Sequence, residues 1–156
     1  MTKEEMIELL KAGKVEEWNA WREKHPEVEI DLYMANLSEA KLNGADLNGA
    51  NLRGADLFEA KLNGANLCGA DLDRANLSGA KLNGADLNGA NLGGADLFEA
   101  KLNGADLRKA NLFRANLCGA DLRKIKITRS QREVIWEGLE IEVEDDPPEQ
   151  KEAQEA

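Results

Sequence analysis

Hydrophobic positions along most of this chain fall in fives. Leucine recurs at every fifth residue from Leu32 to Leu122, and Ile127 carries the series to twenty units. Two residues before each stands a second apolar residue: alanine from Ala35 to Ala120, with Ile30 and Ile125 at the ends. In a unit such as Ala45-Asp46-Leu47-Asn48-Gly49, residues two apart in an extended strand point to the same side. Ala45 and Leu47 therefore face inward and Asp46 faces out. The other two positions favour Gly, Asn and charged residues, which is turn chemistry. Each unit reads as a very short strand followed by a turn. A helix fits poorly, because steps of five rotate by about 140° and would spiral the apolar residues around its surface. The twelve glycines of the repeat region would each destabilise a helix interior by roughly 1 kcal/mol.

Exceptions to the pattern predict how many units close a coil. Ala-Lys-Leu-Asn-Gly occurs at 40–44, 60–64, 80–84 and 100–104, and within the repeats lysine precedes leucine nowhere else. Glu39, Glu59 and Glu99 are spaced by multiples of twenty, as are Phe58 and Phe98. Twenty residues make four units per coil and a square cross-section, with residue n lying over n+20. Twenty units then make five coils, a rod about 24 Å long at a strand spacing of about 4.8 Å. Segments 40–59 and 80–99 differ only at Arg53/Gly93, so gene duplication in whole coils accounts for the same spacing.

The motif Ala-(Asp/Asn)-Leu-X-X over residues 30–129, with eighteen alanines in register, resembles the pentapeptide-repeat family. The resemblance implies an all-β solenoid, a right-handed quadrilateral β-helix with leucine at the centre of each face. The lysine columns and terminal isoleucines depart from the motif without threatening that fold.

The flanks read differently. Thr2 and Glu5 form a capping box for a helix over 2–12, with Met6, Leu9 and Leu10 on its apolar side and Gly13 as its stop. A second helix is expected from Val15 to Lys24, with Val15, Trp18 and Trp21 on one face and Pro26 ending it. Residues 1–29 form an N-terminal helical cap on this reading. At the other end Ser130 and Glu133 suggest a capping box before Val134, Ile135 and Trp136. Leu139, Ile141 and Val143 alternate with glutamates as in a strand. Residues 130–144 then form a C-terminal helix and strand cap, and 145–156 an acidic disordered tail. Solenoid ends need such caps, because open strand edges invite aggregation. Relatives of similar architecture dimerise through C-terminal elements, so Trp136, Leu139, Ile141 and Val143 are candidate dimer contacts as well as cap contacts.

Charge is unevenly placed. Residues 1–29 carry net −3, residues 30–129 net +1, and residues 130–156 net −8, giving −10 overall. The resemblance brings one sharp hypothesis: some pentapeptide-repeat proteins mimic a DNA duplex and bind DNA gyrase. Mimicry needs a rod of one sign. A rod of net +1 with Lys41, Lys61, Lys81 and Lys101 along one face argues against it. The preceding glutamates suggest that this column is a solvated ladder of weak ion pairs. Eight basic residues lie between Arg108 and Arg132, and only Asp121 opposes them within that stretch. Coil arithmetic places Arg108, Lys109, Lys126 and Arg129 on one face. That patch is solvated, or neutralised by the acidic tail, or a site for an acidic partner. Exposed Phe58, Phe98 and Phe113 are candidate contacts with a protein partner or a second copy, since aromatics and arginine dominate interface energetics.

Other chemistry is absent from this reading. The one histidine, His25, sits at a helix end, and no serine has a histidine in register to activate it. No catalytic residue, metal site or cofactor is assigned. Asp86 and Asp106 stack, but two carboxylates beside Arg108 make a poor cation site. Nucleic-acid recognition is not expected, because no helix carries a base-reading set. With no apolar run near eighteen residues and no signal-like start, a cytoplasmic protein is expected. Cys68 and Cys118 fall on opposite faces, so no disulfide joins them. Two classes remain: a non-enzymatic binding or scaffold module with a rigid flat face and an unidentified protein partner, or a purely structural, consensus-like or engineered repeat.

Overall fold

The computed structural model describes residues 1–131. Sixteen isolated parallel bridges run from Asp31↔Asn51 to Asp106↔Lys126, and every one joins residue n to residue n+20. The backbone thus returns onto itself after four five-residue units. Within one unit the pairing reaches both ways: Leu72 N–H donates to Asn91 O (2.7 Å), and Asp71 N–H donates back to Ala50 O (2.9 Å). A turn follows each leucine, closed by the next alanine, as where Ala75 N–H donates to Leu72 O (3.0 Å). The third residue of that turn has positive φ: +64° at Gly54, +68° at Gly79. Type II turns reserve that position for glycine. Eight non-glycine residues occupy it as well, among them Glu59, Arg74, Lys109, Arg114 and Lys124.

Alanine and leucine fill the interior as the pattern predicts. Every leucine from Leu32 to Leu107 and every alanine between them is buried. Burying a leucine side chain contributes roughly 1.5–3 kcal/mol, and alanine keeps the interior narrow enough for the leucines to meet.

Helix α1 spans Lys3–Lys11 and α2 spans Val15–Lys24. Thr2 caps α1 through the expected reciprocal box with Glu5, and Gly13 follows α1 at φ +67°. Met6, Leu10 and Trp18 join the core of the solenoid. The helices also occupy polar groups of the first coil. Trp18 Nε1 donates to Asp46 O (2.8 Å), Asn19 Nδ2 donates to Gly44 O (2.9 Å), and Asp46 N–H donates to Asn19 Oδ1 (2.8 Å). Arg22 is buried and donates to Asn48 O and Val28 O. Trp21, half-buried, stacks between Trp18 and His25.

At the far end the interior is less covered: Leu112, Ala115, Leu117 and Ala120 are only partly buried. A helical turn begins at residue 129. Its capping box is Thr128 with Gln131, not Ser130 with Glu133: Gln131 N–H donates to Thr128 Oγ1, and Thr128 N–H donates to Gln131 Oε1 (2.8 Å). Ser130 is already helical, and Glu133 lies outside the described residues. Gln131 starts the helix early because its side chain also serves the rim, donating to Leu107 O (2.7 Å) and Ala110 O (2.9 Å) and accepting from Lys109 N–H. Trp136, Leu139, Ile141, Val143 and the acidic tail likewise lie outside the described residues.

Candidate interaction surfaces

The outward residue before each leucine stacks on its counterpart twenty residues away, and its chemistry differs from column to column. Two columns alternate carboxylate and amide. Asp31, Asn51, Asp71 and Asn91 form one, which ends amide on amide at Asn111; Asn36, Asp56, Asn76, Asp96 and Asn116 form the other. Asn51 Nδ2 donates to Asp31, Asn76 Nδ2 to Asp56 (3.0 Å), Asn91 Nδ2 to Asp71 and Asn116 Nδ2 to Asp96. Alternation places a donor beside each carboxylate and keeps like charges two steps apart. The same side chains brace the turns: Asp56 Oδ1 accepts from Phe58 N–H, and Asn76 Oδ1 from Ser78 N–H. Beside the lysine column runs an all-amide ladder, in which Asn63 donates to Asn43 and Asn83 to Asn63, each through Nδ2 and backbone N–H, while Asn103 N–H donates to Asn83. Sequence reasoning missed these ladders; the Asp/Asn alternation at twenty-residue spacing was the available signal.

Lys41, Lys61, Lys81 and Lys101 stack as expected. With Glu39, Glu59, Gly79 and Glu99 they line a shallow groove of about 570 Å³. The expected ladder of ion pairs does not form: among the described residues, none of these glutamates lies within 4.0 Å of a lysine ammonium. Glu59 and Glu99 run along the rod instead, each placing its Cγ over a glycine of the next coil, Gly79 and Gly119. The glutamate stem takes the space a glycine leaves open, while the glutamates still share the groove with the lysines.

The basic end is partly neutralised from within. Arg108 forms two-pronged hydrogen bonds with Asp106, Nη2 to Oδ2 at 2.6 Å, and Arg123 does the same with Asp121 at 2.7 Å. Burial pushes the Asp106 carboxyl up, but hydrogen bonds from the Arg108 side chain and amide, and the charges of Arg108 and Lys126, outweigh it and hold it below the usual carboxylate range. The Arg123 guanidinium does more at Asp121, holding its carboxyl at about 2 against a smaller effect of burial. Asp106 is therefore occupied by arginine rather than available with Asp86 to a cation. Lys109, Lys126 and Arg129 flank the same face as Arg108 and make no ion pair among the described residues.

Phe58 and Phe98 are both exposed, in a column with Ser38, Ser78 and Cys118. Phe113 is 67% exposed on the neighbouring face, where the Arg114 guanidinium lies 5.2 Å from its ring centre. Tyr33 and Met34, exposed near the N-terminal end, escaped the sequence reading because they stand before the repeat is regular. Cys68 and Cys118 are free thiols.

The sequence pattern described as "Pentapeptide repeats" matches the chain in eight copies, over residues 35–74, 50–89, 75–112 and 90–129. The chain belongs to the pentapeptide repeat family. A solved pentapeptide repeat protein from the Arabidopsis thaliana thylakoid lumen is similar at 35% identity, over 67% of this chain and 73% of that one, with a TM-score of 0.65. One from Nostoc is 39% identical over 71% and 79% of the two chains, with a TM-score of 0.38. QnrB1, a plasmid-mediated fluoroquinolone resistance protein, is 18% identical over 74% and 70%, with a TM-score of 0.35. Among curated proteins none matches the chain. No helix among the described residues of this pentapeptide repeat protein is long and apolar enough to cross a membrane.

Proposed function

We propose that this pentapeptide repeat protein is a non-enzymatic protein-binding or scaffold module. Its frame is a right-handed quadrilateral β-helix of about five coils, closed at its N-terminal end by α1 and α2. The observation that carries the reading is the exposed pair Phe58 and Phe98, aligned on one flat face two coils or about 10 Å apart. The interior is complete without them, and their backbone pairing is shared by Ser38, Ser78 and Cys118 in the same column, so neither fold nor turn requires an aromatic there. Aromatic side chains on a rigid support lose little conformational freedom on binding, which is why they serve as anchors. The test is affinity capture from the native cell, followed by measurement of the captured protein's Kd against the F58S/F98S double variant. A tenfold or greater loss, about 1.4 kcal/mol, is expected. Retention of no protein, or equal affinity for both forms, would refute the reading.

A further inference from the structure

The corner positions of the rod, where φ is positive, change character at its C-terminal end. From residue 34 to residue 104 they are mostly glycine, with Met34, Glu39, Glu59, Glu99 and a single cation, Arg74, which sits 3.8 Å from the Asp73 carboxylate. Then Lys109, Arg114 and Lys124 occupy three of the next four, at φ +60°, +60° and +56°, with only Gly119 between them. L side chains adopt this conformation at a cost that glycine avoids. Three strained corners among four, all cationic, are therefore poor solutions for stability. Such strain concentrates where a surface has work to do.

The twenty-residue period places these three residues at three of the four corners of one rim, not in one column. Lys126 stacks on Asp106 of the preceding coil, and Arg129 opens the helical turn whose Gln131 holds Lys109 N–H. Asp106 and Asp121, the carboxylates of this end, are taken by Arg108 and Arg123. Among the described residues, Lys109, Arg114, Lys124, Lys126 and Arg129 make no ion pair. The groove of Lys41, Lys61, Lys81 and Lys101 differs, because it carries its own glutamates.

We propose that this rim is a docking surface for the chain's own acidic C-terminal segment, residues 140–156. Its charge is complementary: that segment holds Glu140, Glu142, Glu144, Asp145, Asp146, Glu149, Glu152 and Glu155 against the single Lys151. Its point of departure is right as well. Gln131, the last described residue, is tied to the rim at Leu107 O, Ala110 O and Lys109 N–H. Twenty-five residues follow it, and the eight before Glu140 span up to about 28 Å when extended, enough to reach any corner of the rim. A short tether also gives the segment an effective concentration in the millimolar range. Many weak charge contacts then suffice for occupancy, and any external acidic partner must displace the tail.

The experiment uses the full chain with Cys68 and Cys118 changed to serine and a spin label on Q150C. Backbone amides of Lys109, Arg114, Lys124 and Lys126 should broaden at 50 mM NaCl and recover at 0.5 M, where screening shortens the reach of charge to a few ångströms. K109G/R114G/K124G should abolish the broadening without lowering the thermal midpoint, since glycine suits those corners. D145N/D146N/E149Q should reduce it while leaving the rod untouched. No broadening at the rim, broadening centred on Lys41–Lys101, or persistence in the triple-glycine variant would overturn the proposal. So would broadening only between molecules, read from isotope-labelled chains without a spin label mixed with spin-labelled chains lacking the isotope, because the occupant would then be a second copy.

Discussion

Replacing Asn76 with aspartate tests whether the alternation of carboxylate and amide stabilises the rod. Asn76 is half-buried between Asp56 and Asp96 in the stacked column. Its Nδ2 donates to Asp56 Oδ1 at 3.0 Å, and its Oδ1 accepts from Ser78 N–H. Aspartate keeps the acceptor, so the turn survives, but it loses the donor. A hydrogen bond to a charged group contributes about 1.5 kcal/mol at the lower end of its range, suited to a half-exposed site. Two new like-charge contacts at about 4.8 Å add roughly 0.9 kcal/mol each at the dielectric of water, and more near a protein surface. N76D should therefore lose about 3 kcal/mol at pH 7. With m near 2 kcal/mol/M, the urea midpoint falls by about 1.5 M. Asn76→Ala, which adds no charge but removes both the donor to Asp56 and the acceptor for Ser78 N–H, should lose about 2.5 kcal/mol at one ordinary and one charge-assisted hydrogen bond, so a gap of just under about 1 kcal/mol to N76D remains at pH 7. The gap between N76D and N76A carries the repulsion, which acts through solvent at a half-exposed column. Salt should narrow it at pH 7. Equal urea midpoints for N76D and N76A at low salt, or a gap indifferent to salt, would refute the electrostatic account of the alternation.

Leu72→Ala should cost about 2–5 kcal/mol by calorimetry or urea titration, because Leu72 is fully buried in an interior whose hydrogen-bonded walls cannot close over a cavity. Asn19→Ala removes the donor to Gly44 O and the acceptor for Asp46 N–H; a loss of roughly 1–3 kcal/mol and faster hydrogen exchange at Asp46 are expected. The Asp121 carboxyl, held at about 2 by Arg123, contributes stability that is complete above its usual value near 4 and disappears as pH falls toward 2. NMR titration should show it returning to the ordinary range in Arg123→Ala, with the acid limb of the stability curve changing between pH 4 and 2. Mild oxidation should yield only disulfides between molecules on a non-reducing gel, because Cys68 and Cys118 lie on opposite faces.

The interior was legible in the sequence because burial here depends only on period: Leu72 is enclosed for the same reason as Leu52 and Leu92. The start of α1 was legible too, since Thr2 and Glu5 act within one helical turn. What was missed depends on contacts across coils or between elements. Arg22 resembles a solvent-facing helix residue until its donors are seen to meet Asn48 O and Val28 O. Glu59 reads as the partner of Lys61, yet the space above Gly79 draws its stem along the rod. Arg108 reads beside Asp106 as an argument against a cation site, but its two-pronged grip on the carboxylate, which takes it out of the basic patch, shows only in the side-chain geometry. Among the candidate surfaces, exposure of Phe58, Phe98 and Phe113 followed directly from the outward register.

The ladders also have a direction. Each cross-coil amide donor, from Asn51 to Asn116, points its N–H toward the N-terminal end: Asn63 to Asn43, Asn83 to Asn63, Asn76 to Asp56, Asn111 to Asn91. Backbone bonds across coils do not cancel either: each unit sends two N–H groups toward the C-terminal end, as from Leu72 and Arg74, and one back, as from Asp71. The side-chain donors thus run against a backbone excess, and the two are carried by different atoms of the wall. The cylinder is consequently vectorial along its walls, so a binder lying lengthwise against one of these faces meets a different field when it is turned end for end.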